Sequence, residues 1–179
     1  MDRVHSAGAK FDYEKAKWFN HEWIKKSGAG SLESGVKTLL TQNGFTVSDN
    51  VLLEKVIDAV KDRCSLLPDF VQQSSFFFKT PEQWDSDTVK PKWNEAKKLF
   101  FAELIRNYEL SPSWDIHTLE NNFKEIAAVN DLKPGELQLP FRIMLVGGKF
   151  GPPVFTIAEL LGKDETIRRI KNAIVIFNS

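Results

Sequence analysis

Apolar positions recur at three- and four-residue spacing along most of the chain, the period of helices packed on one side. Asp12 is a good N-cap, and Tyr13, Lys17, Trp18 and Ile24 after it predict a first helix to about Lys26. Ser27 to Gly30 break it. Ser31 is positioned to cap a second helix with Leu32, Val36, Leu39 and Leu40 on one side. Ser48 can cap a third, with Val51, Leu52, Lys55, Val56, Ala59 and Val60 as its buried stripe. Cys64 to Phe70 either continue that helix or open a short fourth after Pro68. Phe76 to Phe78 fit a buried strand or a helix end. From Pro91 to Tyr108 the repeat of Trp93, Ala96, Leu99, Phe100 and Leu104 predicts a long helix. Asp115 or Thr118 starts another through Phe123, Ile126 and Val129. Asp164 is positioned to cap a last one carrying Ile167, Ile170, Ile174 and Phe177.

Leu139 to Gly162 reads as two short helices around a loop rich in breakers. Pro140 suits the first position of a helix, where its missing N–H costs nothing. Phe141, Met144 and Leu145 follow as an apolar stripe, and Gly147 and Gly148 stop it. Pro153 can start the second helix and Gly162 close it. Each piece has only two to three turns, so both must pack deeply on other helices. The loop, stiffened by Pro152 and Pro153, is expected to be exposed and to present Lys149, Phe150 and Gly151.

Composition narrows the class. In 179 residues, 24 Lys and Arg balance 24 Asp and Glu, which argues against non-specific DNA binding. The 42% hydrophobic content supports a real core, and one cysteine excludes an internal disulfide framework and fits a reducing cytosol. No apolar run reaches the roughly 18 residues of a membrane span. His5, His21 and His117 are scattered, away from Cys or Glu at ligand spacing, so no metal site is read here. Cys64 has no histidine near it in sequence and reads as a buried thiol. Gly147 to Gly151 lack the Lys-Ser/Thr ending of a phosphate loop. No catalytic constellation emerges.

Two stretches carry a family resemblance. Pro140-Phe141-Arg142 through Gly147-Gly148, then Gly151-Pro152, then Leu160-Leu161-Gly162-Lys163 and the arginine-bearing last helix, resemble the C-terminal anticodon-binding region of bacterial glutamyl-tRNA synthetases. Phe11, Asp12, Lys15, Trp18, Asn20, Trp23 and Ile24 resemble that family's helix at the other end of the region. Leu139 and Pro153 depart from it, standing where members often have Gln and Gly. The resemblance implies an all-α, two-part helical bundle. Residues 1–10 would be a flexible lead-in from a longer protein. Residues 11–80 would form a first anticodon-binding subdomain, opening with the end of a stem-contact region, and 81–179 a second. It implies tRNA as partner, without DNA or membrane, in a cytoplasmic monomeric protein of protein biosynthesis. The chain itself would need no cofactor: both nucleotide-gripping motifs of class I synthetases, His-x-Gly-His and Lys-(apolar)-Ser-Lys, are absent, so ATP belongs to a ligase domain upstream.

Candidate RNA-contacting residues follow from the same match. Single-stranded RNA is read by stacking and by hydrogen bonds to base edges, for which the chain offers Trp18, Trp23, Phe150, Arg63, Arg142, Lys149, Arg168 and Arg169. Arg63, before Cys64-Ser65-Leu66, matches an arginine that contacts the third anticodon base in the family. Its bland alternative is a surface ion pair with Asp62 or Asp69. Arg142 matches the arginine of the Pro-x-Arg helix. Gly151, Pro152 and Val154 match the loop against which anticodon bases lie, with Lys149 beside them. Trp18 and Trp23 match aromatic positions facing tRNA, whereas Trp93 and Trp114 read as core. Arg168 and Arg169 fit phosphate contacts or surface ion pairs. The competing reading is a helical protein–protein adaptor without RNA binding. A positive face joining Arg63, Arg142 and Lys149 would favour RNA.

Overall fold

The computed structural model describes residues 12–179. The lead-in over residues 1–10, together with Phe11 and His5, lies outside the described residues. Ten α-helices and two 3-10 turns make up the regular structure of the described residues, and no strand occurs among them. The architecture is all-α, as the spacing of apolar residues predicts.

α1 (Tyr13–Lys26) is capped by Asp12, whose carboxylate accepts from Lys15 N at 3.0 Å. α2 (Ala29–Gln42) begins two residues before the expected Ser31 cap: Gly28 takes the N-cap position, and the Ser31 hydroxyl donates to Gly28 O instead. α3 (Asn50–Val60) is capped by Asp49 rather than Ser48, with Asp49 accepting from Leu52 N. Its buried stripe is Leu53, Val56, Ile57 and Val60. Val51 and Lys55, expected inside, are exposed, because the i, i+3, i+4, i+7 set starting at Leu53 is the one facing α2.

A 3-10 turn over Lys61–Arg63 leads to α4 (Asp69–Phe78). Phe76 to Phe78 are therefore a helix end and not a strand. α5 (Ser86–Val89) and a 3-10 turn over Lys90–Lys92 hold Pro91, and α6 (Glu95–Leu110) restarts at the Asn94 cap. Leu99 of the expected stripe is exposed; Phe100, Phe101, Leu104, Ile105 and Tyr108 are inside. α7 (Ile116–Val129) is capped by Asp115.

α8 (Pro134–Val146) starts at Pro134, so Pro140 lies inside the helix and not at its first turn. Its missing N–H leaves the Glu136 carbonyl without the usual i→i−4 donor. α9 (Val154–Leu161) and α10 (Lys163–Asn178) follow, and α10 is entered through Gly162 at φ 78° rather than capped by Asp164.

α2, α3 and α4 pack on one another, as do α6, α7, α8 and α10. α9 touches both groups: α3 and α4 on one side, α7, α8 and α10 on the other. The core is continuous from Ile24 to Phe177. At its centre Phe123 stacks on Phe141 at 5.4 Å and meets Phe100 and Phe155 edge-on. No helix among the described residues is long and apolar enough to cross a membrane.

Candidate nucleic-acid interface

The loop between α8 and α9 is built by one side chain and two glycines. Gly147 ends α8 at φ 83°, donating to Ile143 O at 2.8 Å. A Cβ there would lie 2.6 Å from Gln83 O, so only glycine lets the 81–85 segment close over the helix end. That segment is fastened by Asp85 N donating to Gly147 O at 2.9 Å and Trp84 Nε1 donating to Met144 O at 3.0 Å.

Arg142, half-buried on α8, then gathers the loop. Its Nη1 donates to three successive carbonyls: Phe150 O at 3.2 Å, Gly151 O at 3.1 Å and Pro152 O at 2.6 Å. Gly151, at φ 101°, folds onto Phe76 and Ile157. The loop is consequently only in part the exposed platform expected from its prolines. Gly151, Pro152 and Val154 are buried, drawn inward by the guanidinium, and the surface consists of Lys149, Phe150 and Pro153. Lys149 reaches Asp85 Oδ2 at 3.3 Å with both groups near solvent. Hydrogen bonds from Thr88, reinforced by Lys149, hold the Asp85 carboxyl below its usual range.

Arg63 sits at the end of the 3-10 turn, exposed, with the segment behind it propped by α1. Asn20 Nδ2 donates to Ser65 O, and His21 Nδ1 lies 2.8 Å from Cys64 O. The expected alternatives for Arg63 do not form: neither Asp62 nor Asp69 pairs with it, and Asp69 instead accepts from Ser65 N and Leu66 N at 2.8 and 2.9 Å. Among the described residues neither Arg63 nor Arg142 bonds a carboxylate. Burial pushes the Arg142 guanidinium below its usual value, and the positive charge of Arg63 nearby pushes the same way. Both guanidinium groups are thus left without a carboxylate, and unpaired positive charge favours an anion. Lys149 adds less to this face because Asp85 offsets it.

On α1, Trp18 and Trp23 stand 58% and 55% exposed, with Phe19 edge-on to Trp18 at 5.0 Å and Lys15 above Phe19. Trp93 and Trp114 are packed against the core, their ring N–H groups donating to Asn178 Oδ1 and Ala158 O.

Arg169, expected at the surface, is an internal pin instead. It is 1% exposed and no candidate for phosphate. It donates to Glu165 Oε1 at 2.6 Å, to Phe76 O at 2.8 Å and to Leu145 O, tying α10 to the ends of α4 and α8. Burial alone would push the Glu165 carboxyl up, but hydrogen bonds from Arg169, Arg168 and Thr80 outweigh it and leave it below its usual range. Arg168 is exposed and pairs with the same carboxylate at 2.6 Å. The signal for burial was present: residue 169 falls one turn from Thr166 and Ala173, small residues on the inward face of α10. Phe150, offered for stacking by its chemistry and not by the family match, is the loop's exposed aromatic side chain.

Comparison with known proteins puts these features in context. A family model described as an anticodon binding domain matches residues 13–174. The glutamate–tRNA ligase of Flavobacterium johnsoniae is 36% identical over 174 residues, covering 97% of this chain and 34% of that protein. That of Porphyromonas gingivalis is 34% identical over 176 residues, covering 98% of this chain and 34% of that protein. The chain thus spans about a third of the length of the curated relatives it matches. The crystal structure of a glutamate tRNA ligase from Elizabethkingia meningosepticum, in complex with its amino acid, matches with a TM-score of 0.86 at 31% identity, over 99% of this chain and 35% of that one. The glutamate–tRNA synthetase of Elizabethkingia anophelis matches with a TM-score of 0.83 at 31% identity, over 98% of this chain and 34% of that one.

Proposed function

The chain belongs to the anticodon-binding domain family, and from that premise we propose that it holds the anticodon loop of a glutamate tRNA as part of a glutamate–tRNA ligase. The observation that carries the proposal is that the exposed Arg63, and Arg142 which gathers the α8–α9 loop, have no carboxylate partner among the described residues, in a chain whose charges otherwise balance. Loop nucleotides offer such a pair both phosphate oxygens and the acceptor edges of unstacked bases.

Arg63 reads the third anticodon base. Cytosine presents O2 and N3 as acceptors on its pairing edge, which the donor-only guanidinium satisfies. Guanine presents N1–H and N2–H₂ there, donor against donor. Exposed, and propped from behind by Asn20 and His21, Arg63 has a fixed base and a free head. Arg142 shapes the loop through Nη1. Trp18 extends the contact along α1, and Lys149 lies beside the loop, while Gly151, Pro152 and Val154 form its floor. The acylation chemistry, with ATP and glutamate, belongs to an upstream domain. The reading also places the protein in the cytoplasm, as a monomer, without DNA or membrane partners.

The test is binding of this chain to a glutamate tRNA anticodon stem-loop against one with a scrambled anticodon, then to loops with C or G at the third position. A base-specific pair is worth about 1–3 kcal/mol by analogy with bidentate readout. Arg63→Gln, whose amide both donates and accepts, is expected to reduce the C-over-G preference by roughly ten-fold. An unchanged ratio leaves Arg63 with no reading role, and equal binding of the scrambled loop overturns the function.

A further inference from the structure

We infer that Phe150 is a stacking platform for one unstacked base of the RNA loop, which enters the groove between Phe45, Phe76 and Phe150; the inference rests on the proposed anticodon-loop function. The groove, of about 270 Å³, lies where the α2–α3 connection, the end of α4 and the α8–α9 loop meet. Phe45, Phe76, Val146, Pro81 and Phe150 line it, with Lys79 at the rim. It is smaller than most pockets for drug-sized ligands and of the scale of a single ring system.

Phe150 is 40% exposed, yet it is held in place. Its ring meets the buried Phe76 edge-on at 5.8 Å. It also lies so close to Gly148 that a Cβ there would come within 2.8 Å of the ring. Its carbonyl is the first of the three bound by Arg142. An aromatic side chain fixed at backbone and ring, with surface left open, loses little entropy when a base lies on it. A stack of this kind tolerates any base, since every base has a π-face.

Charge decides between a base and an apolar peptide side chain. The guanidinium that bonds the Phe150 carbonyl has no carboxylate partner among the described residues, and neither has the exposed Arg63. A polyanion drawn to that pair brings its bases to the groove mouth, and an apolar peptide gains nothing from it. At the rim Lys79 holds only the exposed Glu82, at 2.6 Å, and can exchange it for a phosphate.

The experiment uses stem-loops that are intact or abasic at each anticodon position in turn, with wild type, Phe150→Leu and Phe150→Tyr. Wild type is expected to lose about ten-fold in affinity at one abasic position. Phe150→Leu loses a similar factor on the intact loop and nothing further on that abasic loop, while Phe150→Tyr binds as wild type. Unchanged urea midpoints and an unchanged C-over-G ratio at the third base show that the fold and the Arg63 contact survive in Phe150→Leu. Phe150→Leu binding the intact loop as wild type overturns the inference. So does an equal loss on every abasic loop, which means that the substitution acts on the loop as a whole. Equal binding of wild type to a scrambled loop is a different result: it removes the anticodon function, and the stacking role with it.

Discussion

Arg169→Met tests whether the buried guanidinium fastens the helices that carry the RNA-facing loop. The side chain is 1% exposed and donates to the Glu165 carboxylate and to the carbonyls of Phe76 and Leu145. Methionine has similar length and satisfies none of them. Breaking a buried ion pair from one side costs about 3–5 kcal/mol, because the partner keeps its desolvation penalty. Glu165 is 26% exposed and can recover part of its hydration, which pulls the value toward the lower end. The carbonyls of Phe76 and Leu145 face inward and recover little, at about 1–3 kcal/mol for a buried unsatisfied group. The expectation is therefore about 3–5 kcal/mol, or a fall in Tm of roughly 6–20 °C for a chain of this size. Urea unfolding is the assay: the midpoint falls with the slope unchanged. Arg168→Met, which removes the exposed arm from the same carboxylate, is expected to cost at most about 1 kcal/mol. If Arg169→Met unfolds within about 1 kcal/mol of wild type, the pin is not what joins α10 to α4 and α8.

The pKa of Glu165 is lowered from its ordinary 4.5, so the stability it contributes is complete above that value and is lost as pH falls through the folded-state pKa; Glu165→Gln should flatten the acid limb measured by urea midpoints. Burial pushes the Cys64 thiol up to about 12, so alkylation at pH 8 should be slow in the folded chain and fast in urea; rapid native labelling would contradict its packing. Gly44 and Gly147 share φ 83°, but a Cβ at Gly44 meets nothing while one at Gly147 meets Gln83 O, so Gly147→Ala should be destabilised beyond the roughly 1–3 kcal/mol of backbone strain that bounds Gly44→Ala. RNA binding through a few local contacts should give a log–log salt slope of about 1.4–2.8, two to four phosphates' worth; a slope near 7 would show a wider basic surface.

The legible part of the fold was what side chains announce locally. Asp12 and Asp115 cap helices where their type predicts, since their carboxylates satisfy the first free N–H groups. Entries through glycine carry no such signal: Gly28 and Gly162 start α2 and α10 by backbone geometry alone, so in the sequence the nearest Ser or Asp stands out as the cap. The phase of α3 was ambiguous because Leu52 and Leu53 adjoin, and packing against α2 decided it. Arg63 and Arg142 could be singled out by motif. Their lack of a carboxylate partner could not, because it depends on where Asp62 and Asp69 point in the folded chain. The inward turn of Gly151 and Pro152 was hidden for the same reason: it depends on where one guanidinium points.

The exposed aromatic side chains of α1 also govern how the protein behaves in concentrated solution. Tyr13, Trp18, Phe19 and Trp23 are each more than half exposed, and the charges cancel near pH 6.8. Around neutral pH the particles therefore repel one another weakly while exposing sticky, flat rings, the combination that promotes self-association. Solubility should be lowest near pH 6.8 and rise as the solution becomes alkaline. A bound RNA moves the particle far from its isoelectric point, so it acts as a dispersant as well as a ligand.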